Sequence, residues 1–296
     1  MGGQGVDHHA VPPVGENLER QASPAVGGEA VGQFHGRAHA TILPQASGTV
    51  WSPSACLAST VVGRPARRSG VGSVRMKIGI LGTGGMAAAL GGAWVAAGHD
   101  VLVGGRSPLR ARRTAELAAA GAGSLADAAR HGDAVLLAVP AAAAPRLVTE
   151  LADDLAGRTV VDCTNPLVPT DDGLLLDVGE TGSIAWRLAT AAPGAYVVKA
   201  FNLCHVSSWT LRPPTFENVP LAVPFCADHP TAVAATRTLI DSIGCTPAPC
   251  GGLVRAAYLE ATAALAIGMW WAGLQPRNAF PSPAEAPQSW AASPRS

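Results

Sequence analysis

The sequence predicts an α/β protein with a doubly wound, mostly parallel sheet. Two observations indicate this class. From Met76 onward, short apolar runs alternate with segments of helical pattern, and a β-α-β-α order produces parallel strands with helices on both faces. The glycine-rich turn GTGGMA at 82–87 joins the first strand to the first helix with G-x-G-x-x-A spacing, which is typical of a Rossmann-like sheet.

The first four elements are a strand, a helix, a strand and a helix. The apolar run KIGILG at 77–82 predicts a buried strand, and the segment 85–97 predicts the helix after it. The run DVLVGG at 100–105 predicts a second strand. A helix follows at 108–120, and its first turn accommodates Pro108.

Three further apolar runs extend the predicted sheet. They are DAVLLAVP at 133–140, RTVVDCT at 158–164 and AYVVKAFN at 195–202. An alanine-rich helix that ends near Leu155 follows the first of them. Together with the preceding elements, these runs define a predicted nucleotide-binding domain over 76–210.

A small C-terminal α/β extension is predicted over 211–275. The run VPLAVPFCA at 219–227 indicates a strand, and its prolines favour an edge position because proline cannot donate to a neighbouring strand. A helix is predicted at 230–243, and a long apolar helix at 253–273 ends the extension. A helix that is apolar on most sides belongs in a core or a subunit interface, so a homodimer is left open.

Both ends of the chain are predicted to be disordered. Residues 1–75 are rich in Gly, Ser, Pro, Ala and His and lack sustained periodicity, so they cannot bury enough apolar surface to offset their ordering entropy. Met76 is the first methionine after Met1, and a strand pattern starts directly after it. Our hypothesis is that 1–75 is an upstream extension and Met76 the true start. The Pro- and Ser-rich segment 276–296 predicts a disordered tail.

The composition argues against several classes of function. The 296 residues carry a formal net charge of zero, with 14% charged and 48% hydrophobic residues. The chain therefore has no electrostatic footprint for nucleic acid or for an anionic membrane surface. No apolar run reaches the length of about 18 residues that predicts a membrane span. The six cysteines include no Cys-x-x-Cys pair, so we expect no metal site and reduced thiols in a cytoplasmic protein.

The turn after the first strand is the predicted phosphate-binding loop. Gly82 permits the tight turn, and Gly84 lets the backbone approach a pyrophosphate. The first N–H groups of the next helix, with the positive end of its dipole, then face the phosphates. The cofactor-binding residues predicted in this loop are Gly82, Thr83, Gly84, Gly85 and Met86.

The residues after the second strand predict which dinucleotide binds. An NAD-preferring site carries Asp or Glu there to hold the ribose 2′-hydroxyl, whereas this chain has Gly105, Arg106 and Ser107. A guanidinium pairs with a 2′-phosphate that a carboxylate would repel. Arg110, one turn into the next helix, adds a second cation. These residues predict NADP as the cofactor.

The chemistry of the reaction is expected to come from the cofactor. The sequence has no Ser/His/Asp arrangement, no P-loop and no metal motif. Val139 and Pro140 end one predicted strand, and Asn165 and Pro166 follow another. These residues therefore fall at the carboxyl edge of the sheet, where open α/β folds bind their ligands. We expect them to lie beside the nicotinamide.

Two residues are candidates for a general acid, and neither is assigned. Lys199 lies on the strand AYVVKAFN, and His205 follows that strand. Each also has a structural interpretation, because a strand lysine often meets a carboxylate and a histidine can be satisfied within a core.

Several motifs together resemble one known family. KIGILGTGGMAAAL, VGGRSPLRA, LLAVP, NPLVP, KAFN and VPFCADH occur in that order over about 76–275. They resemble the NADP-dependent reductases of the deazaflavin coenzyme F420, a family that includes the cytoplasmic domain of ferric reductases that work with a flavin. The segment FNLCHVSSWTLRPP departs from the FNxxSAW pattern of the ferric-reductase-like members by an insertion.

The resemblance implies specific roles for site residues. The stretch from Thr83 to Met86 would hold the pyrophosphate, and Arg106 would hold the 2′-phosphate. The residues implied to line the nicotinamide side are Val139, Ala143, Pro166 and Ala200. The family often has serine at the position of Gly105, which supplies no hydroxyl here.

The implied function is hydride transfer between NADP(H) and coenzyme F420, with both as small-molecule partners. Two alternatives stay open. One is an NADPH-dependent reductase of a flavin or ferric centre, or of a small carbonyl or imine compound, on the same scaffold. The other is a non-catalytic NADP-binding module.

Overall fold

The computed structural model describes residues 74–171 and 173–280 of the chain. Nearly all of the predicted extension at 1–75 and most of the predicted tail at 276–296 therefore lie outside the described residues. The first half contains β1 (Lys77–Leu81), α1 (Gly85–Ala96), β2 (Asp100–Gly104), α2 (Pro108–Ala118), β3 (Gly121–Gly123), α3 (Leu125–His131), β4 (Ala134–Leu137), α4 (Ala144–Glu150), α5 (Ala152–Leu155) and β5 (Thr159–Asp162). The second half contains β6 (Leu167–Thr170), β7 (Gly173–Leu176), α6 (Ile184–Ala191), β8 (Tyr196–Ala200), β9 (Thr215–Phe216), β10 (Val219–Pro220), β11 (Ala222–Ala227), α7 (Pro230–Ser242), β12 (Thr246–Pro249) and α8 (Ala256–Trp271).

Eight of the described strands form one sheet in the order β12-β11-β8-β5-β4-β1-β2-β3. The six strands from β8 to β3 are parallel to one another. β11 runs antiparallel to β8, and β12 runs parallel to β11. The predicted Rossmann-like, mostly parallel sheet is confirmed. The strand order reverses between β1 and β4, which opens a crevice at the carboxyl ends of these strands.

Side chains alternate between the two faces of the central strands, and each face has its own core. Ile78 and Ile80 of β1 pack on one face with residues of α1, α2 and α7. Leu81 of β1 packs on the other face with residues of α4, α6 and α8. Burial on both faces explains why β1 and β4 read as continuous apolar runs rather than as alternating ones.

β11 is an inner strand, so the prediction of an edge position for this segment is wrong. It lies between β8 and β12. Pro224 is tolerated because the ladder with β8 begins only at Phe225, one residue further along. β12 forms the edge of the sheet, and it contains Pro247 and Pro249, as expected for a strand whose outer side makes no ladder.

The C-terminal helix α8 has 16 residues and lies against the sheet through one side. Its buried residues are Ala256, Leu259, Glu260, Ala263 and Ala266. Large apolar side chains, including those of Leu265 and Trp271, are exposed on its other sides. Over 74–171 and 173–280, no helix combines the length and apolarity needed to cross a membrane.

Candidate nucleotide site and adjoining groove

The turn after β1 has a backbone that requires glycine at its first position. Gly82 has φ of +134°, a conformation that side chains rarely adopt. A Cβ at this position would collide with the backbone carbonyl of Ala138. The Gly82 N–H donates to the carbonyl of Gly104 at 2.9 Å. The loop is thus held against the ends of both neighbouring strands, β2 and β4.

The start of α1 is open to a ligand. Gly84 is the N-cap, and no side chain caps the helix. A Cβ built at Gly84 would meet no atom within 4 Å. Since the first N–H groups of a helix have no intrahelical partner, those of α1 are available to an anion. The geometry of the loop from Thr83 to Met86 therefore fits a pyrophosphate.

Two arginines stand where the second strand ends. Arg106 and Arg110 are exposed, and neither forms an ion pair with a carboxylate of the described residues. The Ser107 hydroxyl accepts the N–H of Arg110 at 3.4 Å and so caps α2. Asp100, at the opposite end of β2, lies 3.4 Å from His131. The ribose end of the crevice therefore presents guanidinium groups, which suit a 2′-phosphate.

The packing between Thr83 and Gly105 explains one departure from the family pattern. A Cβ at residue 105 would lie 2.6 Å from the Thr83 methyl carbon. The Thr83 carbonyl is fixed by the Thr114 hydroxyl, which donates to it at 3.0 Å. Thr83 thus fills the space that a serine side chain at residue 105 would need.

The residues predicted beside the nicotinamide divide into accessible and enclosed ones. Pro140 and Ala143 are exposed, and Val139 and Asn165 are half-buried, at the carboxyl ends of β4 and β5. The structure brings these four to the sheet edge. The other two predicted residues are buried. They are Pro166 and Ala200, and Ala200 of β8 has no exposed surface. Neither of these two side chains presents a surface to a ligand in this structure.

Lys199 is enclosed in an ion cluster, which corrects its candidacy as a general acid. Its Nζ lies 2.9 Å from Asp162 Oδ2 and 3.0 Å from Glu260 Oε1, and all three side chains have no exposed surface. The same Nζ donates to the Thr164 carbonyl at 2.6 Å. Glu260 also accepts the backbone N–H groups of Ile184 and Ala185 at the start of α6. All the donor capacity of the ammonium is used within the protein, and no substrate can reach it here.

A groove of about 560 Å³ adjoins the phosphate loop. It is lined by Met86, Asn165, Asn202, Leu203, Cys204, His205, Val206, Ile267, Trp270 and Trp271. Met86 comes from the first turn of α1, and the tryptophans come from the last turn of α8. The groove thus places the predicted residues Met86, Asn165 and His205 together. Its volume is typical of a small-molecule site.

An amide pair forms the polar floor of the groove. Asn202 donates through Nδ2 to Asn165 Oδ1 at 3.0 Å and to the Leu259 carbonyl at 3.1 Å. Asn165 donates through its own Nδ2 to the Asn202 carbonyl at 2.9 Å. These bonds tie the ends of β5 and β8 to the first turn of α8. Asn202, Trp270 and Trp271 were not among the residues predicted for the site.

The thiols near the site are protonated at neutral pH. Burial raises the pKa of Cys163 to about 12. Burial also raises the pKa of Cys204, which lines the groove. Since the thiolate is the reactive form, neither is a nucleophile under ordinary conditions. Across the part of the chain that the structure describes, no group of three or more His, Cys, Asp or Glu residues could hold a metal ion.

The fold and site together define a class of protein, a Rossmann-type nucleotide-binding protein with a second pocket beside the cofactor crevice. Residues 77–166 match the family described as "NADP oxidoreductase coenzyme F420-dependent". This match confirms the resemblance found in the sequence, and it covers the nucleotide-binding segment of the chain.

Relatives of known name extend the comparison. Metalloreductase STEAP3 from Rattus norvegicus is 32% identical over 197 residues, which are 66% of this chain and 38% of that protein. An F420-dependent NADP reductase from Methanothermobacter thermautotrophicus is 29% identical over 210 residues, which are 66% of this chain and 89% of that protein. A crystal structure of a candidate F420-dependent NADP reductase from Arthrobacter sp. FB24 is 27% identical, with a TM-score of 0.61 over 67% of this chain and 96% of that chain. The chain thus spans less than half of the metalloreductase.

Proposed function

We propose that the protein is an NADP-dependent oxidoreductase that transfers a hydride between NADP(H) and the deazaflavin coenzyme F420. The observation that carries the proposal is the junction of two sites at one sheet edge. The open N-terminus of α1, with Arg106 and Arg110 beside it, suits NADP, and the groove at Met86 adjoins it. The F420-dependent NADP reductases among the relatives support the choice of electron partner.

The residues that would hold NADP are those at the ends of β1, β2 and β4. The first N–H groups of α1 would bind the pyrophosphate, and the two arginines would bind the 2′-phosphate. Val139, Pro140 and Ala143 would border the nicotinamide at the end of β4. When bound, NADPH supplies a hydride directly, so no side chain needs to form a covalent bond.

The groove is the proposed site of the electron acceptor. Its walls are mostly apolar, with two tryptophans at one end and an amide pair at the floor. Indole rings pack well against planar aromatic rings. Holding two reactants at about 3–3.5 Å contributes roughly 7–11 kcal/mol toward lowering a barrier. The contribution of the protein is then chiefly position and exclusion of water.

A reductase of a flavin or ferric centre is the second candidate function. The observation that favours it is the similarity to metalloreductase STEAP3, which has the highest identity of the relatives named above. The same groove would receive the flavin ring. The two candidates share the NADP site and differ only in the acceptor.

One assay separates the candidates. Purified protein is mixed with NADPH and oxidised coenzyme F420, and the loss of deazaflavin absorbance is followed. Parallel reactions contain a flavin with ferric citrate. NADPH oxidation with F420 but not with flavin and iron supports the first function. NADPH oxidation with flavin and iron but not with F420 supports the second. Tight NADPH binding without turnover on any acceptor would contradict both and leave a binding module.

Cofactor choice is tested at Arg106. Arg106→Glu should weaken NADP binding by roughly ten- to hundredfold, because a charge-assisted hydrogen bond is lost and a repulsion is gained. NAD binding, which lacks the 2′-phosphate, should change little. Arg113→Glu, which makes the same charge change further along α2, is the matched control. Unchanged NADP affinity in Arg106→Glu would overturn the assignment of the phosphate site.

A homodimer and a cytoplasmic location stay predictions. The exposed apolar side chains of α8, among them Tyr258, Leu265 and Trp271, would suit a contact between two copies. Sedimentation equilibrium of the purified chain tests the dimer directly. A measured molecular mass equal to that of one chain at micromolar concentration would rule out the proposed dimer.

A further inference from the structure

His205 is placed on the groove by a strained and well-anchored segment. Phe201, directly after β8, has φ of +62°, which is costly for a bulky residue. Its ring packs edge-on against the rings of Trp94 and Trp209, with distances between ring centroids of 5.8 Å and 5.3 Å. Phe201 and Trp209 are both buried. These contacts fix the turn at Val206–Thr210, and His205 is the N-cap of that turn.

The hydrogen bonds of His205 define which ring nitrogen is free. Its Nδ1 accepts the backbone N–H of Ser207 at 3.3 Å and lies 2.9 Å from the Ser207 hydroxyl. A backbone N–H can only donate, so Nδ1 must carry a lone pair, and the proton of the neutral ring resides on Nε2. Within the described residues, Nε2 has no hydrogen-bond partner. His205 is exposed and lines the groove, so its imidazole has an N–H donor available to a ligand there.

The other groove residues make this donor distinctive. Among the residues that line the groove there is no Lys, Arg, Asp or Glu, and the amide pair is largely committed to its own bonds. Trp270 and Trp271 supply flat apolar surface. The arrangement suits a planar conjugated ring with an acceptor atom at its edge.

We propose that His205 is a catalytic residue of the acceptor site and that its Nε2–H donates to the ring atom on which charge develops. The proposal rests on the function proposed above. In the step, the C–H bond at C4 of the NADPH nicotinamide breaks, NADPH is oxidised to NADP⁺, and the hydride forms a C–H bond at an electrophilic carbon of the acceptor ring. The displaced π pair moves to the conjugated nitrogen or oxygen, where the Nε2–H bond stabilises it. No proton leaves His205, and the reduced ring later takes its proton from water.

The chain contains a matched control for this role. His229 caps α7 in the same manner, since its Nδ1 accepts the N–H of Thr231 at 3.3 Å. His229 stacks on Tyr196 and is not among the residues of the groove. His205→Leu removes both the cap and the donor, whereas His205→Gln retains an N–H donor near the position of Nε2. His229→Leu removes a comparable cap elsewhere.

The kinetic test compares these three variants with F420 as acceptor. His205→Leu should lower kcat by roughly ten- to hundredfold, the effect of a hydrogen bond to a charged group. His205→Gln should retain most of the native kcat, and His229→Leu should leave it unchanged. Circular dichroism confirms that each variant is folded. Equal kcat in the native protein and His205→Leu would overturn the proposal and leave the function of the enzyme intact.

A binding test reads the same site without turnover. Spectra of protein with ¹⁵N-labelled histidine should show a protonated Nε2 and an unprotonated Nδ1 for His205. Addition of oxidised F420, without NADPH, should shift the Nε2 signal of His205 and leave that of His229 unmoved. A protonated Nδ1 in the neutral ring, or an unmoved His205 signal under saturating F420, would refute the donor role. Failure of F420 to bind at all would remove both this proposal and the proposed function.

Discussion

Lys199→Met should destabilise the protein strongly, because it leaves two enclosed carboxylates without their cation. The Lys199 ammonium contacts Asp162 at 2.9 Å and Glu260 at 3.0 Å, and all three side chains have no exposed surface. Removing one partner of a buried pair costs about 3–5 kcal/mol, since the remaining charge is uncompensated. For a domain of this size, that loss lowers the melting temperature by roughly 6–20 °C.

The assay is thermal or urea unfolding with an exposed pair as control. Arg146 and Glu150 form an i,i+4 pair at 2.7 Å, with 87% and 55% of their side chains exposed. Arg146→Met should cost no more than about 0.5 kcal/mol. The double variant Lys199→Met/Glu260→Gln should recover part of the loss, because one uncompensated charge is gone. If Lys199→Met lost no more stability than Arg146→Met, the buried-cluster argument would be refuted. Folded Lys199→Met at low temperature should still bind NADP.

Three further predictions concern glycines and thiols. Gly82→Ala should lower the free energy of unfolding by about 3 kcal/mol or more, because φ is +134° and the new methyl meets the Ala138 carbonyl. Gly84 has open space around it, so Gly84→Ala should keep the native melting temperature. Calorimetry should nevertheless show that Gly84→Ala binds NADP more weakly. Gly105→Ser should lower the free energy of unfolding by about 1–3 kcal/mol, because the new side chain clashes with the Thr83 methyl. Unfolding curves of the double variant Gly105→Ser/Thr83→Ser should show that this loss is restored. A double variant as unstable as Gly105→Ser would contradict the packing argument. Burial raises the pKa of Cys163 to about 12 and the pKa of Cys245 to about 11. The folded state therefore holds protons that the unfolded thiols release above about pH 8.5. The free energy of unfolding should fall as pH rises from about 9 to 11, by up to about 1.4 kcal/mol per pH unit for each thiol, and Cys163→Ala should reduce that slope.

The first four elements could be predicted from sequence because their signals are local. β1, α1, β2 and α2 end within about two residues of their predicted bounds. The β3 strand GAG was missed because it contains no large apolar side chain and owes its pairing to β2. α3 carried a readable signal that the pattern of apolar residues obscured. Ser124 and Asp127 form a capping box at its start.

The nucleotide site and the groove differ in how much of each could be predicted from the sequence. The phosphate loop and Arg106 come from one continuous stretch, so spacing alone was enough to predict their roles. The groove is assembled from the first turn of α1, the ends of β5 and β8, and the last turn of α8. Only the tertiary fold brings these segments together. For the same reason, the sequence could not show that Lys199 meets Asp162 and Glu260 rather than a substrate.

Two polar contacts hold α8 at the end opposite the tryptophans of the groove. Asn202 bonds to the Leu259 carbonyl and Lys199 pairs with Glu260, both in the early part of the helix. Trp270 lies ten residues beyond Glu260, which is about 15 Å along the helix axis. A tilt of about 4° around the tethered end would therefore displace Trp270 by about 1 Å, on the basis of the 1.5 Å rise per residue. Trp270 and Trp271 remain 39% and 68% exposed, whereas Ala263 and Ala266 before them are buried. We therefore expect Lys199→Met to shift Trp270 and Trp271 as well as to lower stability, although Lys199 itself has no access to a substrate.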